Sequence, residues 1–274
     1  MPKTDTMTEL QAEIHERAMV LEREAHTLRA GEKPEEAFHA YDEAASLYKE
    51  AGEHLKAALC YASAASCWNI KTGWLPIRNA ATRNKVGAEE AMQGKHHDYA
   101  RSLFREAAVL FETEGDFENY SACFWGSQLA DAKRSWAIVT HRRSAGPLDG
   151  FPSEVKLKDR SAAFFRWTAN VLSRLIWGYG ERPFRTIGAA LVLIVVSAVG
   201  YTLSGQVAYY GLARGISFWE AVYFSFTNFT TVGFGDYTPL GWARGISVLE
   251  SVGGITLMPL FLIALTRRYL RMYR

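Results

Sequence analysis

The stretch Thr230-Thr231-Val232-Gly233-Phe234-Gly235-Asp236-Tyr237-Thr238-Pro239 decides how this chain is read. Two glycines alternate with large apolar residues and a proline closes the run, so continuous helix is excluded. Just before it, Phe218 to Phe229 is mostly apolar, long enough for about three helical turns and too short to cross a bilayer. The pair predicts a half-helix over 218–229 that enters a membrane partway, followed by irregular backbone over 230–236. Such backbone is tolerated at membrane depth only inside protein or lining a cavity of water or ions.

Moving outward, no charged residue lies between Arg185 and Arg214, and Ile187 to Leu203 is almost wholly apolar. A first membrane span is expected over 186–204. A second is expected over 245–266, where Glu250 is the only charge. Arg174, Arg182 and Arg185 precede the first span, and Arg267, Arg268, Arg271 and Arg274 follow the second. Residues 204–245 hold only Arg214 and Arg244, so both termini are expected in the cytosol, with the chain in the cell (cytoplasmic) membrane.

Glycines at 233 and 235 can take backbone angles closed to other residues. Successive carbonyls of Thr231, Val232, Gly233 and Phe234 can then face one side, with the Thr231 hydroxyl below them. Contributed by four chains, these oxygens would form stacked rings that replace an ion's hydration shell. Val232 and Phe234 would point away and pack behind the rings. The motif occurs once, so closing a ring requires a C4 homotetramer. The C-terminal end of each half-helix, near Phe229, would aim its partial negative charge at the central cavity.

Span, half-helix, Thr-Val-Gly-Phe-Gly-Asp and span together resemble the pore of potassium channels, in the two-transmembrane bacterial type, across about residues 184–268. The resemblance implies K+ bound at Thr231, Val232, Gly233 and Phe234, with Gly235 completing the filter and Thr230, Asp236 and Tyr237 supporting it. No cofactor is implied beyond K+ as the permeant ion. Trp177-Gly178-Tyr179-Gly180-Glu181-Arg182-Pro183 looks like the segment entering the first span in some of these channels.

Two departures stand out. Phe234 occupies a position where many relatives carry Tyr. Asn228 stands where Thr is common, and Thr227 where some relatives place a Glu that pairs with the filter Asp, which leaves Asp236 without that partner. Gly253 and Gly254 fall near where relatives bend the second span, with Pro259 a second kink point; close helix packing is the other reading. Glu250, an ionisable group within a span, should turn inward. It would either bond to the pore helix or face the ion path.

The N-terminal half has a different character. Residues 1–160 hold all seven His, all three Cys and all ten Lys, with 21 Lys+Arg against 25 Asp+Glu. Residues 161–274 have 10 Arg against four acids and no Lys, His or Cys. Two halves this different do not share one solvent. The cysteines Cys60, Cys67 and Cys123 read as buried apolar residues of a reducing cytosol, and no zinc-ligand spacing is present. His96, His97 and His141 have no catalytic partners in the sequence and read as solvated.

Glycines 31, 52, 73, 94 and 115 recur every 21 residues, which predicts helix–turn units over 1–143. A shift of 63 residues superposes Ala44/Ala107, Ala45/Ala108, Gly52/Gly115 and Cys60/Cys123, and exchanges Tyr48 for Phe111. Small residues that let helices approach, with aromatics filling the gaps, suit an α-solenoid or an ordinary bundle. The pattern resembles tetratricopeptide-type repeats, and more closely the helical hairpins of the soluble NSF attachment proteins. It implies a cytosolic module for a protein or peptide partner, or a small-molecule regulator. Residues 144–160 read as a linker. Residues 161–183 read as an amphipathic helix at the membrane interface and a pre-span segment, with one more soluble core helix the alternative.

The whole chain is thus expected to be all-α, a helical-repeat domain over 1–143 followed by a pore domain over 184–274. It is read as a tetrameric K+ channel and not an enzyme, with the bilayer as partner and no nucleic acid. A poorly selective monovalent cation channel and a membrane-anchored scaffold with a silent pore are the alternatives.

Overall fold

A computed structural model describes residues 3–68, 74–140 and 157–272. These form ten α-helices, one turn of 3-10 helix and a small sheet, divided between two units, Met1–Asn170 and Val171–Arg274.

The first unit is a row of helical hairpins: α1 (Lys3–Ala30), α2 (Pro34–Glu50), α3 (His54–Trp68), α4 (Trp74–Gln93), α5 (His97–Glu114) and α6 (Phe117–Val139). Each packs chiefly on its neighbours in the chain. Gly31, Gly52, Gly94 and Gly115 fall in the turns between helices, while Gly73 lies outside the described residues. Local chemistry sets the helix starts. Pro34 and two acids open α2, and the Asp116 carboxylate caps α6 by accepting from the Asn119 amide at 3.0 Å.

The 63-residue shift is visible in the packing. Ala44, Ala45, Tyr48 and Cys60 share one buried cluster with Ala18, Ala57 and Tyr61. Their counterparts Ala107, Ala108, Phe111 and Cys123 share another with Ala81, Ala88, Leu103 and Phe104. Alanines on facing helices bring backbones close, and two aromatic rings in each cluster fill the remaining space. All three cysteines are buried and free. Burial pushes the Cys60 and Cys123 thiols up to about 12.

Two features of this unit depart from expectation. His96 is buried at 5% exposure, not solvated, and His141 lies outside the described residues. A buried acid also escaped sequence reading: Glu90, 1% exposed, pairs with Lys49 at 2.8 Å and His54 at 2.9 Å, tying α2, α3 and α4 together.

Helix α7 (Leu157–Ile176) begins inside the stretch expected to be linker; residues 144–156 lie outside the described residues. Leu157 to Arg160 contains no Pro or Gly, and nothing there prevents a helix. Arg160 donates to the Val139 carbonyl at 3.0 Å, Asn170 to the Gln128 carbonyl at 3.2 Å, and Trp167 lies 4.7 Å from Trp136. The first part of α7 therefore belongs to the helical unit. Phe164, Phe165, Leu172 and Leu175 along it remain exposed.

The second unit is built on α8 (Pro183–Ser204) and α10 (Ala243–Met272). Pro183–Ser204 and Ala243–Arg267 are long and apolar enough to cross a membrane, and most of each is unburied. Between them come β1 (Val207–Tyr209), β2 (Leu212–Ala213), α9 (Phe218–Phe229) and β3 (Tyr237–Pro239). The sheet has order β2-β1-β3, all antiparallel, with Val207 opposite Pro239 and Tyr209 opposite Tyr237. Predominantly α is correct, and this sheet is the addition. Its strands are two or three residues long, too short for an alternating pattern to register.

Candidate ion-conduction site

Helix α9 starts at a capping box. The Ser217 side chain accepts from the Glu220 amide, and the Glu220 carboxylate accepts from the Ser217 amide at 2.8 Å. Glu220 also holds Arg214 at 2.6 Å and accepts from the Tyr237 hydroxyl at 3.1 Å. One carboxylate thus joins the start of α9 to the strand that follows the loop.

The loop leaves α9 by a pair of amide contacts: Val232 and Gly233 N–H both donate to the Thr227 carbonyl, at 3.0 and 3.2 Å. Beyond that point the backbone alternates. Thr231 (φ 60°), Gly233 (φ 51°) and Gly235 (φ 81°) all lie in the left-handed region, and Val232 and Phe234 between them do not. Such a reversal of handedness at every second residue occurs in neither helix nor strand. Glycine takes this angle without strain, whereas Thr231 holds it against its own Cβ. In the single chain Val232 is 56% and Phe234 69% exposed. Two large apolar side chains in that state leave a surface for another chain to cover.

The Asp236 carboxylate lies close enough to act on the Tyr223 hydroxyl, one turn nearer the helix start than Thr227. The same Tyr223 ring lies parallel to Phe234, centroids 6.5 Å apart, and edge-on to Tyr237 at 5.9 Å. Sequence reading passed over Tyr223. It sits four residues before Thr227 on the same helix face, the only signal that marks it.

Behind α9 lies a buried polar network. Glu250 is 0% exposed and touches α9 at two places: Ser225, through its hydroxyl, and Asn228, whose amide donates at 2.8 Å. The Tyr201 hydroxyl on α8 donates to the same carboxyl at 2.8 Å. Asn228 reaches further along α10, donating to the Ser247 carbonyl at 3.1 Å and accepting from Ser247 and Ser251 hydroxyls at 3.2 Å each. Asn228 therefore links α9 both to Glu250 and to the α10 backbone.

Helix α10 runs unbroken through Gly253, Gly254 and Pro259. A Cβ at Gly254 would overlap the Phe229 carbonyl, and one at Gly253 would meet the Leu193 side chain at 2.5 Å. Both glycines stand where neighbouring elements press close.

Residues 188–271 match the model of a protein family described as "Ion channel". Together with the two membrane-length helices, the match supports an ion-channel domain in the second unit and a membrane location for it. Comparisons with curated proteins and with solved structures give no match.

Proposed function

We propose that this chain is one subunit of a tetrameric, K+-selective channel of the cell membrane, with both termini in the cytosol. The single observation that carries the reading is the alternation of left-handed φ at Thr231, Gly233 and Gly235. It supports a line of carbonyls from Thr231, Val232, Gly233 and Phe234 facing one axis, where four copies would strip and replace the water of a K+ ion. Thr230, Asp236 and Tyr237 support that line, and Tyr223 braces it from behind through Asp236 and Phe234.

The exposed Val232 and Phe234 support assembly, since neighbouring subunits would cover them. Gly253, Gly254 and Pro259 remain the points at which α10 would bend to open. The helical-hairpin unit modulates gating or assembly by taking a protein, peptide or small-molecule partner. Its row of paired helices supports a recognition role.

The test is ion flux into liposomes carrying the purified protein. Wild type takes up K+ down its gradient, and Gly235→Ala forms tetramers of the same mass and takes up none. Wild-type K+ uptake by the variant would end the filter assignment.

A further inference from the structure

Ser225 Oγ faces two acceptors at once, the Ile194 carbonyl at 2.8 Å and Oε1 of Glu250. A hydroxyl has one proton. Both contacts are full hydrogen bonds only if the second proton is supplied by Glu250. The other carboxyl oxygen, Oε2, already accepts from Tyr201 and from Asn228, both at 2.8 Å. A neutral carboxylic acid fits this set atom for atom. Oε1–H donates to Ser225, Ser225 donates to Ile194, and Oε2 accepts twice.

The charges nearby agree with that count. The groups that reach Glu250 are Ser197 and Tyr201 from α8 and Ser225 and Asn228 from α9, while Ser247 and Ser251 of α10 bond to Asn228. Among the described residues Tyr201 is the one titratable side chain in hydrogen-bond contact with it, and no cation is paired with it. An ionised carboxylate sealed at 0% exposure with no cation would be strongly disfavoured.

The network also grips α9 from both sides. Ser225 ties it to the α8 backbone at Ile194, and Asn228 ties it to the α10 backbone at Ser247. Asn228 directly follows Thr227, whose carbonyl holds the amides of Val232 and Gly233. Any rotation of α9 would therefore be transmitted to the start of the loop.

We infer that Glu250 is a positioning residue that works uncharged: a protonated hydrogen-bond hub fixing the rotation and depth of α9, and through it the geometry of Thr231 to Gly235. The inference rests on the filter reading for its consequence, but the state of the carboxyl can be measured without it.

The experiment uses the full-length protein in lipid vesicles. Infrared difference spectroscopy between wild type and Glu250→Gln should show the carbonyl stretch of a protonated carboxyl at neutral pH, lost in the variant. In bilayer recordings Glu250→Gln, whose amide can donate to Ser225 and accept from Tyr201 and Asn228, should keep wild-type K+ over Na+ selectivity and open probability. Both should stay flat from mildly acidic to mildly alkaline pH. Glu250→Ala should lower selectivity or open probability by about tenfold or more. Should that variant not assemble, Tyr201→Phe, which removes one donor, should give a smaller fall of the same kind.

A carboxylate band and no acid band, a Gln variant as impaired as Ala, or an Ala variant equal to wild type would each overturn the inference. A wild-type channel that fails to discriminate K+ from Na+ sinks the filter reading alone. Tetramer thermal stability would then decide the hub: Gln ranking with wild type and Ala below supports it, and Gln ranking with Ala rejects it.

Discussion

The backbone of Gly254 in α10 lies so close to the carbonyl of Phe229, the last residue of α9, that a Cβ would overlap it. The contact joins the end of α9 to α10 at the level where the loop begins. The obstacle is backbone rather than a side-chain tip, so it cannot turn aside. Gly254→Ala is expected to destabilise the second unit by about 1–3 kcal/mol, the cost of overpacking a filled site. Thermal unfolding of the detergent-solubilised protein measures it, and an unchanged midpoint would contradict the contact. A gating hinge at the same residue would show separately, as altered open probability in a variant that unfolds normally.

Tyr223 packs on Phe234 and Tyr237, and the Asp236 charge lies near enough to act on its hydroxyl. Tyr223→Phe removes the hydroxyl and keeps the ring. It is expected to speed the decline of K+ current during sustained activation, with little effect on assembly. Tyr223→Ala also removes the stacked ring and should reduce K+ over Na+ selectivity. Reversal potentials and current decay separate the two contributions, and a Phe variant equal to wild type would show that the Asp236 contact is idle.

The buried thiols of Cys60 and Cys123 make the stability of the first unit depend on pH. Burial holds both up at about 12, well above the roughly 8.5 of a free thiol. The neutral form is therefore the one the fold favours. That contribution is full below the unfolded value and is lost as pH rises from about 8.5 toward 12. In the native full-length chain at mildly alkaline pH, a thiol reagent should label both slowly, and denaturant should release them to rapid reaction. Fast native labelling would place them nearer the surface than the structure does.

Much of this was legible in the sequence, for physical reasons that differ by element. The empty charge gap between Arg185 and Arg214 forces α8, since a long apolar helix has few other uses. Glycines at even spacing mark the turns of the first unit because helix length, not packing detail, sets the repeat. What escaped was contact between distant positions. Tyr201 meets Glu250 across 49 residues, and Lys49 meets Glu90 across the α2–α4 interface, and neither pairing leaves a local pattern. The sheet escaped because strands of two or three residues carry no periodicity. The linker's end was misjudged because Arg160 and Trp167 are held by tertiary contacts to Val139 and Trp136.

Gly126 on α6 faces the Phe104 ring of α5, and a Cβ there would come within 2.8 Å of it. Gly126→Ala should push that ring out of the cluster it shares with Ala107 and Cys123, loosening the α5–α6 hairpin. Limited proteolysis of the full chain should then cut the first unit faster while the second stays intact. If gating depends on the first unit, open probability should shift in the same variant; unchanged gating with a loosened hairpin would remove that role.

The central claim is tested most directly by the reversal potential of the wild-type channel in a planar bilayer with K+ on one side and Na+ on the other. The alternating backbone at Thr231, Gly233 and Gly235 predicts a strongly K+-selective value, near the K+ equilibrium potential. A reversal potential near zero, with Na+ carried as readily as K+, would contradict it.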